Sequence, residues 1–325
     1  MFFLISLEHQ NDNGMDKISA FAPATVANVA CGFDVLGFAL DYPGDEVTLV
    51  RRNDNKIIIA DISGDNNLLP KEVEKNTVSL VIMEYLKHLG ISDLGLDIHL
   101  KKQMPLKSGM GSSAASSVVG VFALNEMLGH PLQTIELLPF VMKGEALACG
   151  VAHADNVAPA LLGGFVLIRD HKSLDIIQLP TPDELWCTVI HPEIEVQTKD
   201  ARSILRKRLA MQEAVAQSAN LGGLISGLYT EDYDLIGRSL VDVIVEPQRS
   251  ILIPGFQDVK KASLSSGALG CSISGSGPSI FALSKGRDIA QKTGEMMGKV
   301  FGNLDVGYQL FTSKVNKVGP KILDK

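Results

Sequence analysis

The stretch Pro105-Leu-Lys-Ser-Gly-Met-Gly-Ser-Ser-Ala-Ala-Ser-Ser-Val-Val119 decides the fold predicted for this chain. Gly109 and Gly111 lack side chains where a backbone can approach a ligand closely, and glycine allows the positive φ that turns successive N–H groups inward. The two serines after Gly111 stand where a helix would begin, and the small, apolar residues 114–124 are typical of a buried helix. Because a helix N-terminus with free N–H groups attracts anions, the stretch predicts a polyphosphate site.

Two other phosphate-binding loops do not fit the same residues. A Walker A loop places its lysine directly before the serine or threonine, whereas here Lys107 precedes the glycines and Gly111 precedes Ser112. A dinucleotide fingerprint needs a third glycine, which is absent. An ordinary serine-capped helix after a tight turn remains the alternative from these residues alone.

The composition excludes several classes of protein. A formal charge of −7 argues against a nucleic-acid surface, where positive charge must dominate. The four cysteines are far apart in sequence, which predicts reduced thiols in a cytoplasmic protein and no structural zinc site. No stretch approaches the roughly 20 apolar residues of a membrane span, so we expect no membrane contact.

The order of predicted elements favours an α+β fold of two domains, since helices and strands do not alternate regularly. A proline-punctuated connection at residues 179–183 divides an N-terminal domain, 15–178, from a C-terminal domain, 179–325. Helices are predicted at 76–89 and, in the second domain, at 203–219 and 221–228. Residues 1–14 are expected to be either a disordered extension or a consequence of start-site choice, because Met15 directly precedes the first patterned segment.

Polar side chains concentrate in apolar or glycine-rich surroundings at several further places. Glu145 is a lone carboxylate that, with Ser113 or Ser112, offers the hard oxygen ligands that Mg²⁺ prefers. The alternative is that Glu145 lies on the solvated face of a helix and binds no metal. In residues 152–159, the polar residues His153, Asp155 and Asn156 are surrounded by alanine and valine. Near the N-terminus, Asn28 and Asp34 likewise stand among small and apolar residues. Isolated polar groups of this kind need partners, which are either ligands or other parts of the fold.

Arg202 and Arg249 are candidates for a carboxylate clamp, because the planar guanidinium matches a carboxylate with two hydrogen bonds. The glycines of Ser274-Gly-Ser-Gly-Pro-Ser279 allow close approach to a ligand, with a plain hairpin turn as the alternative.

Together these motifs resemble the GHMP kinases, and among them the homoserine kinase branch. The resemblance is carried by the glycine-serine loop, Ala-Thr-x-Ala-Asn-x-x-x-Gly-Phe-Asp-x-Leu-Gly near the start, His-Ala-Asp-Asn-x-x-Pro-Ala-Leu in the middle, Glu-Pro-x-Arg and Ser-Gly-Ser-Gly-Pro-Ser. It covers nearly the whole chain from Lys17. It implies a ribosomal-S5-like N-terminal domain that holds ATP, a ferredoxin-like C-terminal domain, an active site between them, and a homodimer.

The resemblance also implies a role for each matching residue. Homoserine would be bound by Asn28, Asp34, His153, Arg202 and Arg249, and Mg²⁺ by Glu145 and Ser113. The candidates for ATP binding are Pro105, Leu106, Lys107, Ser108, Gly109, Met110, Gly111, Ser112, Ser113, Ala114, Ala115 and Asn76.

The expected reaction is phosphorylation of the L-homoserine hydroxyl by MgATP, by direct in-line attack with Asn156 positioning the nucleophile and Lys107 offsetting negative charge. Asp155 as a general base is the rival mechanism. Two further alternatives are a kinase for another small amino alcohol and a non-catalytic sensor with the same fold.

Overall fold

The computed structural model describes residues 15–325, apart from the side chains of Ala148 and Cys149. The predicted extension 1–14 lies outside the described residues. The N-terminal half contains β1 (Lys17–Ala27), β2 (Leu36–Arg52), β3 (Ile57–Ser63), α1 (Thr77–Leu89), β4 (Gly95–Lys101), α2 (Ser112–Met127), a 3-10 turn (Thr134–Leu137), α3 (Leu138–Cys149), α4 (Ala154–Leu162), β5 (Phe165–Asp170) and β6 (Asp175–Leu179). Among the described residues, no helix is long and apolar enough to cross a membrane.

The C-terminal half begins after the proline-punctuated connection. It contains β7 (Leu185–Pro192), α5 (Thr198–Ser203), α6 (Met211–Thr230), α7 (Tyr233–Ser239), α8 (Glu246–Arg249), a 3-10 turn (Ser250–Leu252), α9 (Phe256–Ser265), β8 (Gly270–Ile273), β9 (Ile280–Lys285), α10 (Arg287–Asn303), β10 (Tyr308–Lys314) and β11 (Lys321–Asp324).

The fold is built on two sheets, one formed mainly by each half, which confirms the α+β class. Within residues 15–325, the first sheet has seven strands in the order β11-β1-β2-β4-β3, with β5 and β6 continuing from β2, and only β3 and β4 pair in parallel. The second sheet has four antiparallel strands in the order β10-β7-β9-β8, which is the arrangement of a ferredoxin-like fold. Since β11 pairs with β1, the end of the chain returns to the first sheet, and the division at 178/179 stays a prediction.

Helix α2 runs through the core of the first half. Nearly all its residues are buried, because Ala, Ser, Gly and Val along its whole circumference let neighbouring helices and the sheet approach closely. Helices α1, α3 and α4 and strands β1 and β2 all contact α2. The loop before α2 therefore has a rigid base, so its first turn is held in one place.

Helix α1 begins and ends as its sequence predicts. The Asn76 side chain accepts a hydrogen bond from Val78 N at 3.2 Å, and Gly90 adopts a left-handed conformation at the C-terminal end.

In the second half, the predicted break between two helices at 219–221 is wrong. Helix α6 is continuous from Met211 to Thr230, whereas most of residues 203–210 are not helical.

Candidate active site

A cavity of about 690 Å³ lies between the glycine-serine loop of the first half and helices α5 and α8 of the second. This volume is typical of a small-molecule site. Gly275 and Ser276 of the glycine-rich turn at 274–279 line it. So do fifteen of the residues given a role from the sequence: Asn28, Asp34, Lys107, Ser108, Gly109, Gly111, Ser112, Ser113, Ala114, Glu145, His153, Asp155, Asn156, Arg202 and Arg249. The folded chain thus brings together groups that are more than 200 residues apart in sequence.

Three successive carbonyl groups of the loop are anchored to the rest of the protein. Ser108 O accepts from Ser279 N at 3.2 Å, Gly109 O from Ser274 Oγ at 2.8 Å, and Met110 O from Thr25 N at 3.0 Å. The N–H of Gly109 shares a peptide group with Ser108 O, and the N–H of Gly111 shares one with Met110 O. In a trans peptide the N–H and C=O point in opposite directions, so these two N–H groups face away from the anchoring residues. These two N–H groups belong to glycines that line the cavity next to the N-terminus of α2.

The two loop glycines are required by close contacts as well as by their positive φ. A Cβ atom on Gly109 would lie 2.4 Å from Ser274 O, and one on Gly111 would lie 2.1 Å from Thr25 Oγ1. Their φ values of +79° and +68° are strained for any other residue. The loop consequently fits against Thr25 and the Ser274 turn only with glycine at these positions.

A buried ion pair stabilises the first turn of α2, which follows the loop. The Lys102 ammonium contacts the Asp45 carboxylate and donates to Ser112 O at 2.8 Å and Ser116 Oγ at 2.7 Å. Ser116 Oγ in turn donates to Asp45 Oδ2 at 2.8 Å. Both charges are almost fully buried, so each depends on the other and on these hydrogen bonds. This network fixes the first turn of α2.

Five residues of the predicted ATP site do not line the cavity. Met110 and Ala115 are buried in the core, where they hold the loop in place. Asn76 caps α1 and donates to Pro70 O at 2.8 Å, so its side chain has a structural role here. Pro105 and Leu106 precede the part of the loop that reaches the cavity. None of these observations tests whether ATP contacts them.

Asn28 organises the short connection between β1 and β2. Its Nδ2 donates to Gly275 O at 2.7 Å and its Oδ1 accepts from Asp34 N at 2.8 Å. Asn28 and Asp34 both have positive φ, which asparagine and aspartate tolerate better than most residues. The connection therefore carries the Asp34 carboxylate into the cavity, where it contacts Arg202.

Arg249 is buried and its guanidinium is firmly held. Its Nε donates to Ala201 O at 2.9 Å, its Nη1 donates to Gly275 O at 3.1 Å, and its carbon Cζ lies 5.0 Å from the centre of the Phe33 ring. Burial lowers the pKa of Arg249 from its usual value. Two backbone carbonyls and an aromatic ring thus orient a cation that lines the cavity.

Two titratable groups at the start of α4 have shifted pKa values. Burial raises the pKa of Asp155 to about 6, with a smaller contribution from the negative charge of Asp34. Burial also lowers the pKa of His153, and the nearby positive charge of Arg202 acts in the same direction. At neutral pH the cavity therefore contains a neutral imidazole and a carboxylate that protonates easily.

Asn156, in the first turn of α4, is oriented by Thr25. The Thr25 hydroxyl donates to Asn156 Oδ1 at 2.8 Å, so the amide oxygen is occupied and the Nδ2 group is the donor left for a ligand. Because Thr25 N also binds Met110 O, one residue connects Asn156 to the phosphate loop.

Glu145 and the first two serines of α2 supply to the cavity the kinds of oxygen atom that Mg²⁺ takes together with phosphates. Glu145 is buried, and the Ser112 hydroxyl is a buried oxygen with no hydrogen-bond partner among the described residues. Both line the cavity, as does Ser113. In the described part of the chain no group of three or more His, Cys, Asp or Glu side chains is placed to hold a metal. One carboxylate with a hydroxyl suits Mg²⁺, which keeps waters and phosphate oxygens as its other ligands.

Four polar residues at this site were not predicted from the sequence. Thr25 orients Asn156, and Thr198, Lys199 and Ser203 line the cavity from α5. These three lie on the same short helix as Arg202. A helix predicted at residues 198–203 would have been the signal, because residues i and i+4 are neighbours on a helix and Thr198 would then lie beside Arg202.

Comparisons with known proteins agree with this geometry. The family model of the GHMP kinases N terminal domain matches residues 76–164, and that of the GHMP kinases C terminal matches residues 224–303. A homoserine kinase of Chlorobium phaeobacteroides (strain BS1) is 50% identical over 320 residues, covering 95% of this chain and 100% of the relative. One from Chloroherpeton thalassium is 51% identical over 322 residues, with the same coverage.

A solved structure is similar over the same length. The crystal structure of homoserine kinase from Cytophaga hutchinsonii superimposes with a TM-score of 0.93 at 58% identity, covering 98% of this chain and 100% of that one. The predicted GHMP kinase fold is confirmed, and neither a kinase for another amino alcohol nor a silent sensor is favoured. With two family models, relatives at half identity over almost their whole length and this structural match, the chain belongs to the GHMP kinases and, within them, to the homoserine kinases.

Proposed function

We propose that this chain transfers the γ-phosphoryl group of ATP to the side-chain hydroxyl of L-homoserine, giving O-phospho-L-homoserine and ADP for threonine biosynthesis. The observation that carries the proposal is a single cavity lined both by the glycine-serine loop and by Asp34, Arg202 and Arg249. Backbone donors suit a polyphosphate, while one carboxylate and two guanidinium groups suit the two charges of an amino acid.

Each charged side chain matches a part of homoserine. Asp34 binds the ammonium group, and Arg202 and Arg249 bind the carboxylate. Asn28 and His153 complete the pocket, and Asn156 Nδ2 donates to the hydroxyl oxygen. The firm attachment of Arg249 and the Thr25–Asn156 hydrogen bond support this assignment, because both groups need no rearrangement to bind. Mevalonate has no ammonium group for Asp34 to bind.

The loop and the start of α2 bind the ATP phosphates. N–H groups of Gly109 and Gly111 and the positive end of α2 would contact the phosphates, and Lys107, which is exposed and lies 3.4 Å from Glu195, adds a mobile positive charge. Glu145 with Ser113 or Ser112 would hold Mg²⁺, which when bound neutralises charge on the phosphate oxygens.

The reaction is a direct in-line attack by the homoserine hydroxyl on the γ-phosphorus, which breaks the bond to the β,γ-bridging oxygen. Since the transition state of phosphoryl transfer is loose, the hydroxyl proton need not leave early, and positioning by Asn156 supplies much of the catalysis. The rival is Asp155 as general base. Its action would appear as a loss of kcat below about pH 6 that Asp155→Asn abolishes.

The function is tested with the purified full chain by coupling ADP release to a substrate panel. With MgATP, we expect turnover with homoserine and little or none with serine, threonine or mevalonate, and phosphohomoserine as the product by mass spectrometry. Turnover that is faster with another amino alcohol, or ADP release without phosphohomoserine, would contradict the proposal. The homodimer and the cytoplasmic location stay predictions.

A further inference from the structure

The position of Arg249 depends on the short helix α8 that carries it. This helix has only four residues, too few to be stable by itself. Its start is fixed by the buried Asp242 carboxylate, which accepts from the N–H groups of Ile244 at 2.8 Å, Val245 at 2.9 Å and Glu246 at 2.8 Å. Asp242 therefore takes the place of an N-cap and orients α8.

Gln217, on α6, connects this cap to the other side of the cavity. Its Nε2 donates to Asp242 Oδ1 at 3.0 Å and to Cys31 O at 3.2 Å, and its Oε1 accepts from Val243 N at 3.0 Å. Cys31 lies between Asn28 and Asp34 in the β1–β2 connection. One amide group thus binds both the segment that carries Asp34 and the segment that leads to Arg249.

We infer that Gln217 is a positioning residue that sets the separation of Asp34 and Arg249, and with it the affinity for the substrate's ammonium and carboxylate groups. Gln217 does not line the cavity, so it acts through these two segments. The hydrogen-bonding capacity of its amide is used almost completely, and one of its partners is a carboxylate, which makes that bond stronger than a neutral one. The inference rests on the proposed roles of Asp34 and Arg249.

The first test is Gln217→Ala, with Asn220→Ala as the matched control. Asn220 lies one turn later on the same helix and donates to Val241 O at 3.0 Å, but it has no hydrogen bond to Cys31 or Asp242. We expect Gln217→Ala to raise KM for homoserine about tenfold, while KM for ATP stays within twofold and kcat within threefold. Asn220→Ala is expected to leave all three within twofold.

The second test is Gln217→Glu, which keeps the shape of the side chain. An ionised glutamate cannot donate to Cys31 O and repels Asp242, whereas a protonated one restores a single donor. The titratable residues bonded to this side chain are Asp242 and, through its backbone carbonyl, Cys31. The Cys31 thiol donates to Ser239 O instead, and burial raises its pKa to about 12. Relative to wild type at the same pH, the variant's KM for homoserine should therefore be raised at pH 8 and recover toward pH 5.5.

The outcomes separate this inference from the proposed function. If wild type itself makes no phosphohomoserine, the proposed function fails. If wild type is active but Gln217→Ala leaves KM for homoserine unchanged, or raises both KM values equally, or matches Asn220→Ala, the positioning role is wrong. Should Gln217→Ala fail to fold, a Gln217→Glu variant whose KM relative to wild type is the same at both pH values overturns the inference.

Discussion

Arg202 Nη2 lies 3.1 Å from both carboxylate oxygens of Asp34, although the two residues are 168 positions apart. Asp34 belongs to the β1–β2 connection of the first half, and Arg202 to α5 of the second. Their ion pair joins the two halves at the wall of the cavity. The same two side chains are our candidates for the opposite charges of homoserine, so in the proposed complex each would exchange part of this contact for the substrate's ammonium or carboxylate group.

Substrates that differ by one charge test the roles of this pair. We expect Arg202→Gln to lower kcat/KM for homoserine by about 10- to 100-fold, because a charged partner of the carboxylate is lost. The same variant should have little effect on the weak turnover of 3-aminopropan-1-ol, which has no carboxylate. Asp34→Asn should lower kcat/KM for both, since both carry the ammonium group. An equal loss on both substrates in Arg202→Gln would contradict the assignment.

The Thr25–Asn156 hydrogen bond leads to a prediction about kcat. Asn156→Ala removes the donor to the hydroxyl, and we expect kcat to fall about 100-fold with KM for homoserine nearly unchanged, as measured by steady-state ADP release. Thr25→Val keeps the size of the side chain but frees the amide to rotate, so a smaller fall of about tenfold is expected. If Asn156→Ala slows turnover only a few-fold, Asn156 does not position the nucleophile.

The phosphate loop can be tested with a pair of glycines that have nearly the same positive φ. Gly109→Ala introduces a Cβ atom 2.4 Å from Ser274 O, which must displace the loop, so we expect KM for ATP to rise at least tenfold. Gly129, just beyond the other end of α2, has a φ of +80°, and a Cβ there would have no atom within 4 Å. Gly129→Ala should therefore lower stability by about 1 kcal/mol and leave kinetics unchanged. Similar KM values in the two variants would show that the loop does not bind ATP.

The amino-acid sequence predicted the loop and most of its surroundings because glycine, proline and capping residues act locally. The glycine-serine stretch, the N-cap at Asn76 and the polar cluster at 153–156 all depend on neighbours a few positions away. The pairing of Asp34 with Arg202, in contrast, depends on how the two sheets are joined. No pattern within either segment contains that information.

Helix α6 shows how tertiary contacts can reverse a local signal. The predicted break between helices at 219–221 stands just before adjacent glycines at 222 and 223, but the helix continues through all of these residues. A Cβ atom on Gly223 would lie 2.5 Å from Ser239 Oγ, so this glycine lets α7 pack closely against α6. The exposed, basic residues 206–208 have no apolar face to bury, which is why the predicted helical start at 203 is not observed.

The magnesium site leads to a prediction that separates the two serines. Glu145→Gln removes the carboxylate charge, so we expect the Mg²⁺ concentration for half-maximal activity to rise about tenfold at fixed ATP. Ser112→Ala and Ser113→Ala are then compared with it in the same titration, and the larger shift identifies the hydroxyl that binds the metal. Unchanged Mg²⁺ dependence in all three variants would place the ion elsewhere.

Asp155 should make stability depend on pH in the direction opposite to most carboxylates. Its folded-state pKa of about 6 exceeds the unfolded value near 3.9, so between these values the folded protein holds more protons and stability falls as pH rises. Above pH 6, burial of the Asp155 charge then lowers the free energy of unfolding by roughly 2–3 kcal/mol.

The variant Asp155→Asn tests this dependence, because its neutral side chain mimics the protonated form of Asp155. Its midpoint of urea unfolding should exceed that of wild type at pH 7.5, with the difference shrinking toward pH 4.5. An equal difference at both pH values would show that the Asp155 carboxyl titrates normally, and it would then be no candidate for a general base near neutral pH.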